Sequence, residues 1–150
     1  MTITTGAITL ERAALIVAEA LTFGAAQGFD PLTVAVLDPG GHLVALQRQD
    51  GSGILRPQIA IAKAWGVLGL GVSNREIARR AAAAPTFFTS VAALAEGRIL
   101  DVPGGVFIRD AAGRLLGAVG STGAATSLED ERAAVAGIAA AGLVAETGEV

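Results

Sequence analysis

The first regular pattern along the chain has the period of an α-helix. Small and aliphatic residues recur at intervals of three and four between positions 10 and 26, namely Ala13, Ile16, Val17, Ala20, Leu21 and Gly24. This spacing gathers them on one helical face. Thr9 is suited to cap the start of the helix, Glu11 suits the positive end of its dipole, and Gly28 is suited to end it. The pattern predicts an amphipathic helix over residues 10–26.

Two later stretches have the pattern of β-hairpins. Residues 33–37 and 42–48 are rich in β-branched and aliphatic residues, and the sequence DPGG lies between them. Residues 105–109 and 114–119 flank the sequence DAAG in the same way. Because Gly, Pro and Asp supply the backbone conformations of tight turns, each stretch predicts two antiparallel strands. A further short strand is predicted at residues 98–102.

Helical segments are predicted between and after the hairpins. One covers residues 56–68, and a second begins where Ser73 and Glu76 have the spacing of a capping box and ends at Pro85. Residues 86–95 predict another short helix. The sequence SLED at positions 127–130 predicts the start of a last helix, which reaches about residue 143.

The order of elements is therefore α-β-β-α-α-β-β-β-α. Hairpins, rather than alternation of strands and helices, predict an α+β fold whose antiparallel sheet has helices on one side or at its ends. No linker, repeat or low-complexity stretch interrupts the sequence, so a single domain over residues 1–150 is expected.

The apolar content of the chain predicts an assembly rather than a monomer. Hydrophobic residues make up 52% of the 150 residues and charged residues 17%, and the mean hydropathy is +0.58. A small globule has limited interior, so part of this apolar surface is expected to be buried between copies of the chain. No apolar run approaches the roughly 20 residues that cross a bilayer. Residues 1–5 lack a basic start and a long apolar run, so no membrane anchor, no secretory signal and a cytoplasmic location are expected.

Composition also excludes several kinds of chemistry. The chain has no cysteine, which excludes disulfides, thiolate catalysis and thiolate metal sites. The net charge is −3, the 11 basic residues are scattered, and there is no tyrosine and one tryptophan for stacking on bases. A nucleic acid partner is therefore not expected.

Three polar residues lie where they are able to serve a small-molecule site. Lys63 interrupts the apolar sequence IAIAKAW, so it must reach solvent, pair with a carboxylate such as Asp50, or face a pocket. In a pocket, it would bind a carboxylate or act as a base or Schiff-base amine. Arg48 and Asp50 alternate at the end of a predicted strand, so they point to the same side, either as a structural pair or towards a ligand. Arg56 is a further cation near this turn.

Two glycine-rich loops offer backbone groups to an anion. Gly104 and Gly105 follow Pro103, and Ser121 and Thr122 lie between two glycines. Backbone N–H groups and hydroxyls in such loops are able to bind a ligand, although most such loops are simply turns. The acidic residues 129–131 come at a predicted helix start, where compensation of the dipole and a catalytic carboxylate are both open readings.

Several segments, in this order and spacing, resemble one known family. They are RQDG at 48–51, AKA at 62–64, PGGVFI at 103–108, GAVGSTG at 117–123, and the pair Asp130 and Glu131. Together they are similar to the GlcG/HbpS family, which also occurs as the C-terminal domain of PduO-type proteins. The resemblance covers residues 9–143. It implies a profilin- or PAS-like five-stranded antiparallel sheet packed with helices, self-association into dimers and larger rings, and binding of haem or a corrinoid-related ligand.

Haem binding would draw on a limited set of residues. His42 is the only histidine and hence the one imidazole available to iron, although an exposed histidine in a hairpin is commonly without function. Met1 is not a dependable second ligand. Haem would therefore be five-coordinate, share ligands across a subunit interface, or be held mainly by apolar contacts.

Three functions remain open from the sequence. The first is a small oligomeric binding protein for haem or a related tetrapyrrole, with a storage, sensing or slow haem-degrading role. Its ligand groups would be Arg48, Lys63, the two glycine loops and His42. The second is an enzyme that acts on a small carboxylated metabolite by isomerase or lyase chemistry, with Lys63 and Asp50 as acid and base. The third is an assembly subunit without a ligand of its own.

Overall fold

The computed structural model describes residues 6–148, which form ten regular elements. Residues 1–5, on which the expectation of no secretory signal and the remark on Met1 rest, lie outside that range. The helices are α1 Leu10–Ala26, α2 Arg56–Leu70, α3 Asn74–Ala83, α4 Pro85–Leu94 and α5 Ser127–Ala140. The strands are β1 Thr33–Leu37, β2 Leu43–Arg48, β3 Gly105–Arg109, β4 Leu115–Thr122 and β5 Val144–Glu146. Within this part of the chain, no helix is both long and apolar enough to cross a membrane.

The five strands form one antiparallel sheet in the order β2-β1-β4-β3-β5. This confirms the predicted α+β class, a profilin- or PAS-like sheet packed with helices. The turn between β1 and β2 and the turn between β3 and β4 project from the same end of the sheet, which we call the hairpin end. At the opposite end, β2 and β4 finish beside the start of α2.

Helices cover both faces of this sheet. Alternate residues of β3 separate two apolar clusters: Val106 and Ile108 pack with α1 and α5, whereas Phe107 packs with α2 and α3. The expectation that helices lie on one side or at the ends is therefore wrong. The reason is visible in β1, in which all five residues are buried, because a strand covered on both faces is apolar throughout rather than alternating.

The fifth strand is not where the sequence predicted it. Residues 98–102 contain no strand; they lead from α4 to β3, and Ile99 packs in the cluster around α2. The fifth strand is β5, a three-residue strand that follows α5 and pairs with β3. The order is thus α-β-β-α-α-α-β-β-α-β, with three separate helices between β2 and β3. A strand this short has too little pattern for recognition from sequence.

The helix caps agree with the predicted ones except at two places, the Glu76 side chain in α3 and the first residues of α5. Thr9 caps α1, and the Ser73 hydroxyl accepts the Glu76 N–H at 3.2 Å at the start of α3, as predicted. The Glu76 carboxylate binds Arg79 and Arg80 instead of completing the box. At α5, a capping box is formed by Thr126 and Glu129, one residue earlier than the predicted start.

Helix α2 lies directly against the backbone of β4 at a glycine. A side-chain Cβ at Gly120 would overlap the carbonyl oxygen of Ala60 and lie 3.1 Å from the Ala64 nitrogen. Because both neighbours are helix backbone, they have no side-chain freedom with which to move away. Gly120 therefore fixes how closely α2 approaches the sheet.

We predict that Gly120→Ala lowers the free energy of unfolding by at least about 1–3 kcal/mol, the usual cost of overpacking. The matched control is Gly53→Ala, where a Cβ would have ordinary contact with Arg56 at 3.8 Å. Urea unfolding followed by circular dichroism measures both. Equal stability of the two variants would contradict the proposed close contact.

Candidate functional site

The only lysine of the chain is fully enclosed. Lys63 lies on α2 with 2% of its side chain exposed, and its ammonium donates to Asp130 Oδ2 at 2.9 Å and to the Ser121 carbonyl oxygen at 3.0 Å. Asp130, on α5, is equally buried, and its Oδ1 accepts the Ala124 N–H at 2.9 Å. The carboxylate partner of Lys63 is therefore Asp130, not Asp50.

The first glycine loop closes over this ion pair. A Cβ at Gly104 would lie 2.7 Å from the Lys63 ammonium nitrogen and 2.6 Å from the Ser121 carbonyl oxygen, and Gly104 has a φ of +122°. Gly105 donates its N–H to Asn74 Oδ1 at 2.5 Å. The structure thus brings Lys63, Gly104, Gly105 and Ser121 together.

The electrostatics of Lys63 reflect this enclosure. Burial lowers the pKa of the ammonium most strongly, Asp130 raises it, and Arg56 lowers it again. The outcome is a pKa below the ordinary value of lysine. Because the ammonium is surrounded by protein atoms, the groups that stabilise its charge are the Asp130 carboxylate and the Ser121 carbonyl.

The remaining predicted ligand residues form a neighbouring group at the same end of the sheet. Arg48, Thr33 and Thr122 lie opposite one another on three adjacent strands. The Arg48 guanidinium donates to the Ser52 carbonyl at 2.9 Å, and Arg56 donates to the Thr122 hydroxyl at 2.7 Å. Asp50 is exposed in the adjoining turn. The roles of these residues and of the Lys63 group in ligand binding or catalysis stay predictions.

His42 belongs to a different place, an open hollow of about 530 Å³ at the hairpin end. Both hairpin turns and the segment before α1 contribute to it, and its lining is Gly6, Ala7, Asp38, Pro39, Gly40, His42, Arg114 and Leu115. The imidazole has 80% of its surface exposed, and its Nδ1 lies 3.1 and 3.2 Å from the two oxygens of Asp38. Among residues 6–148, no three side chains of the kinds that hold metal ions cluster together.

Asp38 determines which imidazole nitrogen is available. Burial would raise the pKa of Asp38, but hydrogen bonds from the His42 backbone and ring and from the Gly40 N–H lower it overall. The carboxylate is therefore ionised at neutral pH and accepts hydrogen bonds only. A neutral His42 must then carry its proton on Nδ1, which leaves the lone pair on Nε2, the arrangement commonly found in metal-binding histidines.

Sequence reasoning missed Asp38 and Arg114, although a signal for both was present. The turns DPGGH and DAAGR share the pattern Asp-x-x-Gly followed by a basic residue. In each turn, the aspartate Oδ1 accepts the N–H groups two and four residues later, at 2.9 to 3.0 Å. Each carboxylate also contacts the basic side chain, His42 in one turn and Arg114 in the other.

Comparison with known proteins gives a consistent result. A family model described as "Haem degrading protein HbpS-like" matches residues 8–139. The crystal structure of a double mutant of HbpS from Streptomyces reticuli is 28% identical, with a TM-score of 0.76, and covers 93% of this chain and 89% of that one. No curated protein sequence matches the chain.

Two more distant structures share the fold. A structure named as a PduOC complex with haem is 18% identical, with a TM-score of 0.80 over 95% of this chain and 99% of that one. Protein ORFY from Klebsiella pneumoniae is 24% identical, with a TM-score of 0.79 over 94% of both chains.

We predict that Lys63→Met lowers the free energy of unfolding by about 3 kcal/mol or more, because it leaves Asp130 buried without its cation. The double variant Lys63→Met/Asp130→Leu is expected to regain most of that stability, since neither charge remains. Arg12→Met, at an exposed position on α1, serves as the control. Urea unfolding of these three variants and of Asp130→Leu alone measures the coupling. A double variant as unstable as the sum of its single changes would contradict a specific ion pair.

Proposed function

We propose, because the chain belongs to the HbpS-like family of haem degrading proteins, that it binds haem or a related tetrapyrrole at the hairpin end. The single observation that carries the choice of site is the Asp38–His42 pair on the hollow of about 530 Å³. This hollow offers space for a ligand, the one imidazole in the chain, and the Asp38 carboxylate that orients the imidazole.

The residues of this hollow fit haem in three respects. Its volume lies within the range of about 300–1,000 Å³ typical of small-molecule sites. Ala7, Pro39 and Leu115 supply apolar contact for the ring, and Arg114 supplies a guanidinium for a propionate. His42 Nε2 would bind the iron, with its tautomer set by Asp38.

The comparisons support this proposal at two levels. The relative from Streptomyces reticuli is named HbpS and is 28% identical over 93% of this chain. The complex of PduOC with haem supports the view that a protein of this fold is able to hold haem. The position of the ligand in this chain rests on the hollow and on His42.

A single protein ligand favours a sensing or slow degrading role over electron transfer. With His42 as its one protein ligand, haem would be able to take up a small exchangeable molecule as well. The openness of the hollow and the exposed imidazole agree with such a role. The alternative of acid/base catalysis by Lys63 and Asp50 has no comparable support, because the ammonium of Lys63 is paired with Asp130.

Self-association is part of the proposed function, because one helix lacks apolar cover. No residue of α4 is buried, although the helix is largely apolar. Phe87 is 71% exposed and Leu94 is 85% exposed, and their spacing of seven places them on one face of the helix. A second copy of the chain, covering this face, would remove that apolar area from water.

We predict that hemin titrated into the protein gives a saturable Soret shift that His42→Ala abolishes or alters, because the iron loses its imidazole. Asp38→Asn is expected to weaken haem binding by about 10- to 100-fold, the usual effect of removing the group that orients a ligating histidine. Asp30→Asn, an exposed change at the far end of the sheet, is the control. An identical spectrum and affinity for His42→Ala and the unaltered protein would reject this site.

We predict that the protein behaves as an oligomer in size-exclusion chromatography with light scattering, and that Phe87→Glu/Leu94→Glu reduces its mass. Thr86→Glu/Thr89→Glu places the same two charges on exposed polar positions of α4 and is expected to leave the mass unchanged. A double variant that keeps the oligomer mass would show that this face is not the contact.

A further inference from the structure

A second hollow of about 570 Å³ lies at a different part of the molecule. It is bounded by α1, the start of α3, α5 and the segment around β5, and it shares no lining residue with the hollow of His42. Its lining includes Phe23, Arg75, Leu128, Glu131, Arg132 and Ala136. Nothing in the proposed haem site uses any of them.

The floor and one wall of this hollow are apolar. Phe23, Leu128 and Ala136 face it together with further aliphatic side chains. The Arg132 guanidinium lies 5.7 Å from the ring centres of both Phe23 and Phe29, and it donates to Gln27 Oε1 at 3.2 Å. These contacts hold the cation at the mouth, and a guanidinium has five N–H donors to offer. An apolar body and a single anionic group would both find partners here.

The charges of the hollow select the kind of anion. Arg75 donates to Glu131 at 2.5 Å, and the Glu131 side chain is only 7% exposed. With two arginines and one glutamate, the lining carries one net positive charge. A ligand with one negative charge would be matched by Arg132, whereas a second carboxylate would meet the charge of Glu131.

We propose that this hollow binds a monocarboxylate with an aromatic or branched apolar body. The carboxylate pairs with Arg132, and the body lies against Phe23 and the apolar face of α5. The lining contains no histidine, methionine, cysteine or tyrosine, so it offers none of the usual haem iron ligands. The hollow is therefore a second site, for a ligand class different from haem.

The test uses 2-naphthoate as the probe and the full-length protein without haem. Isothermal titration is expected to show binding of 2-naphthoate, and at least about tenfold weaker binding of the neutral 2-naphthalenemethanol, since a charge-assisted bond is lost. Arg132→Gln is expected to weaken 2-naphthoate by a similar factor. Arg79→Gln, a change of the same kind at an exposed position on α3, is expected to leave it unaltered.

A second pair of variants tests the apolar part independently of charge. Ala136→Phe fills the hollow and is expected to abolish binding of 2-naphthoate, whereas Ala139→Phe, on the exposed side of α5, is not. The hemin titration of Ala136→Phe is expected to match that of the unaltered protein.

Three results would overturn the inference. They are equal binding of the acid and the alcohol, equal effects of the two phenylalanine variants, and competition of hemin with 2-naphthoate for one site. Failure of haem to bind at His42 would leave the measurement unaffected, because hemin is absent from the direct titration.

Discussion

The buried ion pair between Lys63 and Asp130 holds the layers of this fold in register. Lys63 belongs to α2 on one face of the sheet and Asp130 to α5 on the other, and they meet beside Gly104, where β3 begins. Such a pair adds little net stability compared with apolar contacts, because both charges lose their hydration. It is costly to break, however, since either charge alone would be buried without a partner. Its main effect is therefore to permit one arrangement of α2, α5 and the glycine loop.

This constraint separates structure from ligand binding within the chain. Hydrogen bonds between protein groups fill the end of the sheet beside Lys63. The Gly105 N–H donates to Asn74, Lys63 donates to the Ser121 carbonyl, and Arg56 donates to the Thr122 hydroxyl. The hollow of His42 and the hollow of Arg132 lie elsewhere, one at the hairpin end and one between α1, α3 and α5. A rigid sheet with both faces covered is a suitable support for such sites, because loops and helix ends are able to carry polar groups without disturbing the core.

The sequence predicted the features that depend on short-range pattern. The bounds of α1, the first hairpin, and the caps at Thr9 and Ser73 all agree with the structure. What it missed depends on distant contacts. Nothing in the helical pattern around Lys63 identifies Asp130, which is 67 residues away, as its partner. Likewise, the three residues of β5 become a strand only because β3 offers them a free edge.

The two hairpin turns show how one backbone geometry presents different basic side chains without change to the fold. Both use an aspartate to accept the same pair of backbone N–H groups, so these bonds do not involve the side chain that follows the glycine. In one turn that residue is His42, and in the other it is Arg114. Each aspartate thus has two roles. It accepts the hydrogen bonds that stabilise the turn, and it orients the basic side chain that follows the glycine. The same turn geometry therefore places an imidazole and a guanidinium at the same end of the sheet, where both line one hollow.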